Sequence, residues 1–336
     1  MMKAMIIKEA GGSFESIERD IPKPKEYEVL IKVQACGICH SDMFVKEGAF
    51  PGIEYPRIPG HEVIGTIEEI GGNVSPWEKG QRVGVGWHGG HCFTCDPCRK
   101  GDFINCQNAQ IAGISYDGGY ATHMLAPQEA LARIPDSLSS EEAAPILCAG
   151  ITVFNAMRNA DIFAGDLVAV QGLGGLGHLA IQYAAKMGMH TVAISSSDDK
   201  KELAHQLGAH EFINGKAENA AEALQKMGGA KLILATAPNS KLISSVVAGL
   251  GPNGQLLIVG ADTDPMQISP LQLITGKKTV SGWSSGTAKD SEETLKFSAL
   301  TKSIPMIEKY PLEKAAEAYE RMINNEARFR VVLTVN

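Results

Sequence analysis

Four cysteines, Cys92, Cys95, Cys98 and Cys106, stand within the stretch HCFTCDPCRKGDFINC. Thiolates bind zinc at about 2.3 Å, and two-residue gaps let successive sulfurs turn toward one centre, so this spacing can close tetrahedrally around a single ion. A disulfide pair or a redox dithiol is the alternative, but either needs only two of the four. A knot of this kind holds a loop and does no chemistry by itself. Further ligand types lie outside it, at Cys39 in CGICHSD, His61 in PGHEVIG and Cys148 in PILCAGIT.

A second kind of chemistry is written in LVAVQGLGGLGHLAIQYAA, where Gly172, Gly174 and Gly177 follow an apolar strand and open an amphipathic helix. In that context the first glycine permits a tight turn, the second lets a pyrophosphate approach the backbone, and the third brings helix and strand close. The helix N-terminus then meets the anion, with Gly175 and Leu176 in the same turn. A plain strand-to-helix turn is the alternative. An NAD site places a carboxylate on the ribose 2′-hydroxyl about twenty residues further on. Here the next strand ends instead in Ser195, Ser196 and Ser197, with Lys200 on the following turn. Hydroxyls and a cation suit a 2′-phosphate, so NADP(H) is expected over NAD(H), while Asp198 and Asp199 are expected to cap the helix.

The elements that must position these residues fall into two styles. Residues 1–150 are rich in glycine, proline and short apolar runs such as YEVLIKVQA and HEVIGTIEEIG, which read as strands of an irregular β domain. A helix is expected from Ser139, where Ser139 and Glu142 form a capping-box pattern, carrying Cys148 on toward Gly150. Residues 151–285 alternate strand and helix, the pattern of a doubly wound parallel sheet. Residues 286–336, ending in RFRVVLTVN, are expected to rejoin the first domain. The 336-residue length fits two domains. A net charge of -7 disfavours nucleic acid and anionic membrane as partners. The chain start lacks a secretory pattern, and seven cysteines suit a reducing compartment, so the expectation is a soluble cytoplasmic protein.

With CGICHSD, PGHEVIG, the four-cysteine loop, LCAGIT and GLGGLG in this order, the chain resembles the zinc-dependent alcohol dehydrogenases of the medium-chain dehydrogenase/reductase superfamily over nearly its whole length. The run SSSDDKK and the cysteine at position 148 look most like the cinnamyl alcohol dehydrogenase and bacterial aldehyde reductase group. The resemblance implies an α/β protein: a Rossmann doubly wound parallel sheet domain plus an irregular, mostly-β GroES-like catalytic domain. It implies an oxidoreductase that interconverts primary alcohols and aldehydes by hydride transfer with a nicotinamide cofactor, and two zinc ions per chain. Cys39, His61 and Cys148 would hold the catalytic zinc, and the four-cysteine loop the structural one. Asp42 and Glu62 would orient ligands, and Ser41 would touch the reacting oxygen. His40 would lie near the pyrophosphate, Thr152 near the nicotinamide, and Val259, Gly260 and Ala261 at a strand end lining the cofactor. Relatives pair through the edge strand of the cofactor domain, so a homodimer or homotetramer is implied.

One departure stands out: many relatives carry a histidine where this chain has Phe44, which cannot relay a proton. Proton release is then expected to run from Ser41 through the cofactor ribose to water. Phe44 and Trp87 either line the substrate channel or pack in the core, Cys36 reads as a buried packing thiol, and His91 as a bystander of the cysteine loop. Two other readings compete. A polyol or sugar dehydrogenase of the same superfamily typically has glutamate as third ligand, against Cys148. A zinc-stabilised, nucleotide-sensing binding module leaves Cys39, His61 and Cys148 without a purpose.

Overall fold

The fold is that of a computed structural model describing residues 1–335. The chain divides into two compact units, one formed by Met1–Ile151 with the segment from Ser285 onward, the other by Thr152–Ser284. Among the described residues no helix is long and apolar enough to cross a membrane.

The first unit is built on a sheet in the order Ile307–Pro311, Arg330–Thr334, Glu28–Ile38, Val63–Ile70, Arg82–Val85 and Leu131–Arg133, with His123–Pro127 also paired to Glu28–Ile38. Glu28–Ile38 is its central strand, and most of its side chains are buried, as expected of a strand covered on both faces. The strands on either side run antiparallel to it. Cys36 therefore faces Val63 on one neighbour, and Ile38 faces Val331 on the other. Val63 in turn faces Val85. The end of the central strand and the starts of both neighbours thus lie at one end of the sheet, and Arg82–Val85 finishes there too. Ala35, Ile64, Leu147 and Val332 fuse these strands into one apolar cluster.

The Ser139 capping box forms: Glu142 N donates to Ser139 Oγ at 3.2 Å and Ser139 N to Glu142 Oε2 at 2.9 Å. The continuous helix expected beyond it does not. Ser140–Ala143 is one α-turn, Ala144–Leu147 is a 3₁₀ turn, and Cys148 leaves the helical region at φ -127° and ψ -71° before Ala149–Arg158 resumes. Pro145 is the physical reason, because it has no N–H to continue the α-helical ladder.

The second unit is a six-stranded parallel sheet in the order Glu211–Asn214, His190–Ser195, Leu167–Gln171, Ala230–Ala235, Leu250–Ile258, Thr279–Gly282. Numbered along the chain this is 3-2-1-4-5-6, the dinucleotide-binding order, whose switch point lies between the first and fourth strands. Leu167–Gln171 is buried along its whole length, which is why it reads as an uninterrupted apolar run.

Candidate active site

The end of the first unit's sheet gathers one cluster of ligand types. Cys39 follows the central strand, His61 and Glu62 immediately precede Val63–Ile70, and Cys148 sits at the helix break. A single ligand atom from each of these four residues lies within 4.8 Å of every other. Cys148 reaches the cluster because Leu147 presses on Gly86, where a Cβ would stand 2.7 Å from the Leu147 carbonyl oxygen. Trp87, next along, sets its ring edge-on to His61 at 5.0 Å.

Hydrogen bonds orient the set. Asp42, on the His40–Asp42 turn, is 2 % exposed; its Oδ1 lies 3.1 Å from His61 Nδ1 and its Oδ2 accepts from Cys39 N at 2.8 Å. With Nδ1 engaged, His61 Nε2 is left buried without a partner, and so is Glu62 Oε2. Buried polar atoms in this state are costly unless something binds them. Glu62 Oε1 pairs with Arg330, whose Nη2 also donates to the Ile38 carbonyl at 3.1 Å. No motif in the sequence announces Arg330. Burial pushes the Glu62 carboxyl up to about 7 against the pull of Arg330.

The Cys39 and Cys148 sulfurs are 3.6 Å apart. The bond shared with Cys148 holds the Cys39 thiol well below its ordinary range against burial, with His61 assisting. Burial pulls His61 down, but the charge and hydrogen bond of Asp42, then Cys39, raise it well above its usual value. Two sulfurs, one lone-pair nitrogen and a nearby carboxylate form a donor set suited to zinc.

The four-cysteine loop also converges, with its sulfurs within 4.8 Å of one another. Cys92 to Cys106 is 3.6 Å and Cys95 to Cys106 is 3.8 Å. A tetrahedron with 2.3 Å arms has edges of about 3.8 Å, whereas a disulfide needs about 2.05 Å. All seven cysteines are free thiols. Backbone N–H groups of Cys95 and Asn108 point at Cys92 Sγ and Cys106 Sγ at 3.4 and 3.3 Å, as donors do toward thiolates. Contacts from Asn108 and Thr94 pull Cys92 down to about 5, while burial pushes Cys98 up to about 12. His91 stays out of the set and stacks on Phe103 at 4.2 Å. Both clusters are candidate zinc sites.

Of the remaining expected residues in this unit, Ser41 is half-buried and His40 exposed on the turn after Cys39. Phe44 lies in an aromatic group with Phe50 and Trp87, at ring separations of 5.8 and 6.4 Å. Cys36 is fully buried, and a Cβ on Gly60 would stand 2.8 Å from its sulfur.

In the second unit the glycine turn has the local geometry its spacing requires. Gly172 has φ +100°, a Cβ on Gly174 would meet nothing within 4 Å, and one on Gly177 would collide with the Gly172 carbonyl. Thr236 Oγ1 donates to the Gln171 and Gly172 carbonyls, joining the turn to the switch-point neighbour. Lys200 Nζ donates to the Leu173 carbonyl at 3.1 Å, so the cation after the second strand reaches the glycine turn itself. Ser195 is buried and Ser196 exposed at the end of that strand. Asp198 and Asp199 fall in the first turn and not at the caps: the cap positions are Ser197 and Lys200, neither with a capping side-chain bond, and the Ser197 hydroxyl donates to the Asp199 carboxylate. Thr152 is nearly buried on Ala149–Arg158. Val259, Gly260 and Ala261 lie just beyond Leu250–Ile258 and do not end it, with Val259 N and Gly260 N both directed to the Ala235 carbonyl.

Residues 25–136 match the alcohol dehydrogenase GroES-like domain, and residues 175–300 match the zinc-binding dehydrogenase family. The alcohol dehydrogenase patD of Penicillium expansum is 44 % identical over 333 residues, covering 99 % of this chain and 97 % of that protein. An alcohol dehydrogenase of Geobacillus stearothermophilus is 38 % identical, with 100 % of both covered. Among solved structures, a cinnamyl alcohol dehydrogenase of Sorghum bicolor superposes with a TM-score of 0.89 at 31 % identity, covering 99 % of this chain and 98 % of that one. Likeness of this extent leaves no segment of either unit unaccounted for, and it places the chain in the zinc-containing medium-chain alcohol dehydrogenases, enzymes that work with a nicotinamide cofactor.

Proposed function

We propose that this alcohol dehydrogenase interconverts primary alcohols and aldehydes with NADP(H) in preference to NAD(H). The observation that carries the cofactor choice is the Lys200 ammonium on the Leu173 carbonyl of the glycine turn, with Ser196 exposed at the end of the second strand where an NAD site would place a carboxylate. A cation there favours a 2′-phosphate. Relatives differ: a similar structure from Helicobacter pylori is complexed with NADP(H), and an acetophenone reductase of Geotrichum candidum with NAD. The choice therefore rests on this chain's own residues.

Cys39, His61 and Cys148 would hold the catalytic zinc, with the orphaned His61 Nε2 as the donating nitrogen. Asp42 fixes the tautomer and direction of that ring through Nδ1. Cys92, Cys95, Cys98 and Cys106 would hold the structural zinc. When bound, the zinc supplies a Lewis acid for the substrate oxygen and the nicotinamide supplies or takes the hydride. Ser41, two residues past Cys39, would hold the proton exchanged with that oxygen, and Phe44 can pass none onward. Trp87, Phe44 and Phe50 form an apolar wall beside His61, suited to an uncharged substrate. In the other unit, Gly172 to Gly177 would cradle the pyrophosphate, with Thr152 and Val259 to Ala261 contacting the nicotinamide half.

Among the described residues the Thr279–Gly282 strand is paired on one side only, and Leu271 and Ile274, shortly before it in the chain, are 69 % and 73 % exposed. Edge pairing with a second copy would cover both, which favours a homodimer or a tetramer of such dimers. Free thiols throughout suit a cytoplasmic, reducing location. The test is oxidation of NADPH and NADH against benzyl, cinnamyl and straight-chain aldehydes by zinc-loaded enzyme. NADPH is expected to win throughout; NADH outpacing it with every aldehyde overturns the cofactor reading.

A further inference from the structure

Asp42 has a third partner besides Cys39 and His61. Tyr120 is fully buried, and its hydroxyl donates to Asp42 Oδ2 at 2.8 Å. The phenol is held there by backbone on both sides: Tyr120 N donates to the Pro59 carbonyl at 3.0 Å, and Met5 N donates to the Tyr120 carbonyl at 2.8 Å. Pro59 is two residues before His61, so the ring is moored to the segment that carries the histidine.

Glycines make the mooring possible. A Cβ on Gly60 would run into the Tyr120 ring, and one on Gly118 into the Gly60 carbonyl. Gly119 N donates to that same carbonyl at 3.0 Å. The sequence DGGY thus docks onto PGH with no room for side chains between them. Phe14 covers the ring from another side, at a centroid separation of 6.0 Å.

We infer that Tyr120 is a positioning residue for the catalytic metal: its hydroxyl, with Cys39 N–H, fixes the rotation of the Asp42 carboxylate so that Oδ1 is presented to His61 Nδ1. A carboxylate held by one donor can swing about its own axis, whereas one held by two donors and an imidazole cannot. Burial, followed by the Asp42 charge, pushes the phenol well above its ordinary value, so it remains a donor throughout the working pH range. This inference rests on the assignment of His61 as a zinc ligand.

The test uses the full-length holoenzyme and measures zinc transfer to a chelator. Tyr120→Phe keeps the ring and removes only the hydroxyl. Outer partners of metal ligands typically change affinity 10- to 100-fold; one bond further out, zinc loss is expected to quicken by about 3- to 10-fold, and only in the phase that Asp42→Asn also quickens. In an Asp42→Asn background the tyrosine change is expected to add less than about twofold, because the route it acts through is gone. Unchanged release, equal acceleration of both zinc phases, or a full effect persisting in that background would each overturn the inference. Should Tyr120→Phe not accumulate, 3,5-difluorotyrosine at position 120, a stronger donor of similar shape, is expected to move the His61 Nδ1 proton resonance upfield by weakening the Asp42 to His61 bond. An unmoved resonance overturns it. A parent enzyme that holds no catalytic zinc would instead refute the assignment of His61.

Discussion

Methionine in place of Arg330 strips Glu62 of its countercharge inside the protein. Glu62 is 0 % and Arg330 4 % exposed, so water cannot take over the role. Removing one partner of a buried ion pair costs about 3–5 kcal/mol, because the other either remains charged and desolvated or is neutralised only by taking up a proton. The Ile38 carbonyl loses a donor as well, which falls within the same range. Since about 1.4 kcal/mol is a factor of ten, the ratio of folded to unfolded chain should fall by roughly a hundredfold or more. Removing both charges, with Glu62→Gln and Arg330→Met together, should cost less than the arginine change alone. The assay is urea unfolding of zinc-loaded enzyme at pH 7.5, followed through Trp77 and Trp87 of the first unit. A loss below about 1 kcal/mol for Arg330→Met, or a double variant as unstable as the two singles summed, would refute the account of this pair.

Burial, then the neighbouring His91, pulls His88 down to about 4. The unfolded ring, near 6.5, binds a proton that the folded one refuses, so stability falls on acidification: about 1.2 kcal/mol between pH 7 and 5.5, and roughly 3 kcal/mol by pH 4. His88→Phe keeps the stack on His91 and should flatten that slope; an unchanged slope in unfolding curves at these pH values rejects the assignment. Cys98→Ser should leave one zinc per chain by metal analysis while aldehyde turnover persists at room temperature, and loss of both metals would contradict two independent sites. Lys200→Ala should raise KM for NADPH about tenfold or more, the scale of one charge-assisted hydrogen bond, with less than about a twofold change for NADH. Phe44→His should alter the pH profile of turnover by supplying a proton acceptor, and an unchanged profile removes the relay argument.

The ligands were legible because each sits in a short motif whose residue types have few other uses. Cys92 to Cys106 and Gly172 to Gly177 carry their meaning in local spacing, and the structure gives them the matching local geometry. What could not be read is whatever depends on segments far apart in the chain. Arg330 and Glu62 are 268 positions apart, and Tyr120 and Asp42 are 78 apart. Neither arginine nor tyrosine announces a buried partner. The signal that could have found Tyr120 is the pair Gly118 and Gly119 before it, since two adjacent glycines in a polar turn often mark backbone packed against backbone. The helix break at Cys148 is hidden for a different reason: the Ser139 capping box is genuine and signals a helix, while Pro145, six residues later, interrupts it. Asp198 and Asp199 looked like caps because acids ahead of a helix usually are, yet the Ser197 hydroxyl competes for Asp199.

Because the strand Arg330–Thr334 lies against Glu28–Ile38, the guanidinium that neutralises Glu62 is added 292 positions after the carbonyl it also grips. On the ribosome, the cysteines and histidine that are to share a metal exist long before that charge is available. Nascent enzyme must therefore wait until residue 330 has been added before the pocket is electrically complete, and metal capture that lasts should not precede that addition.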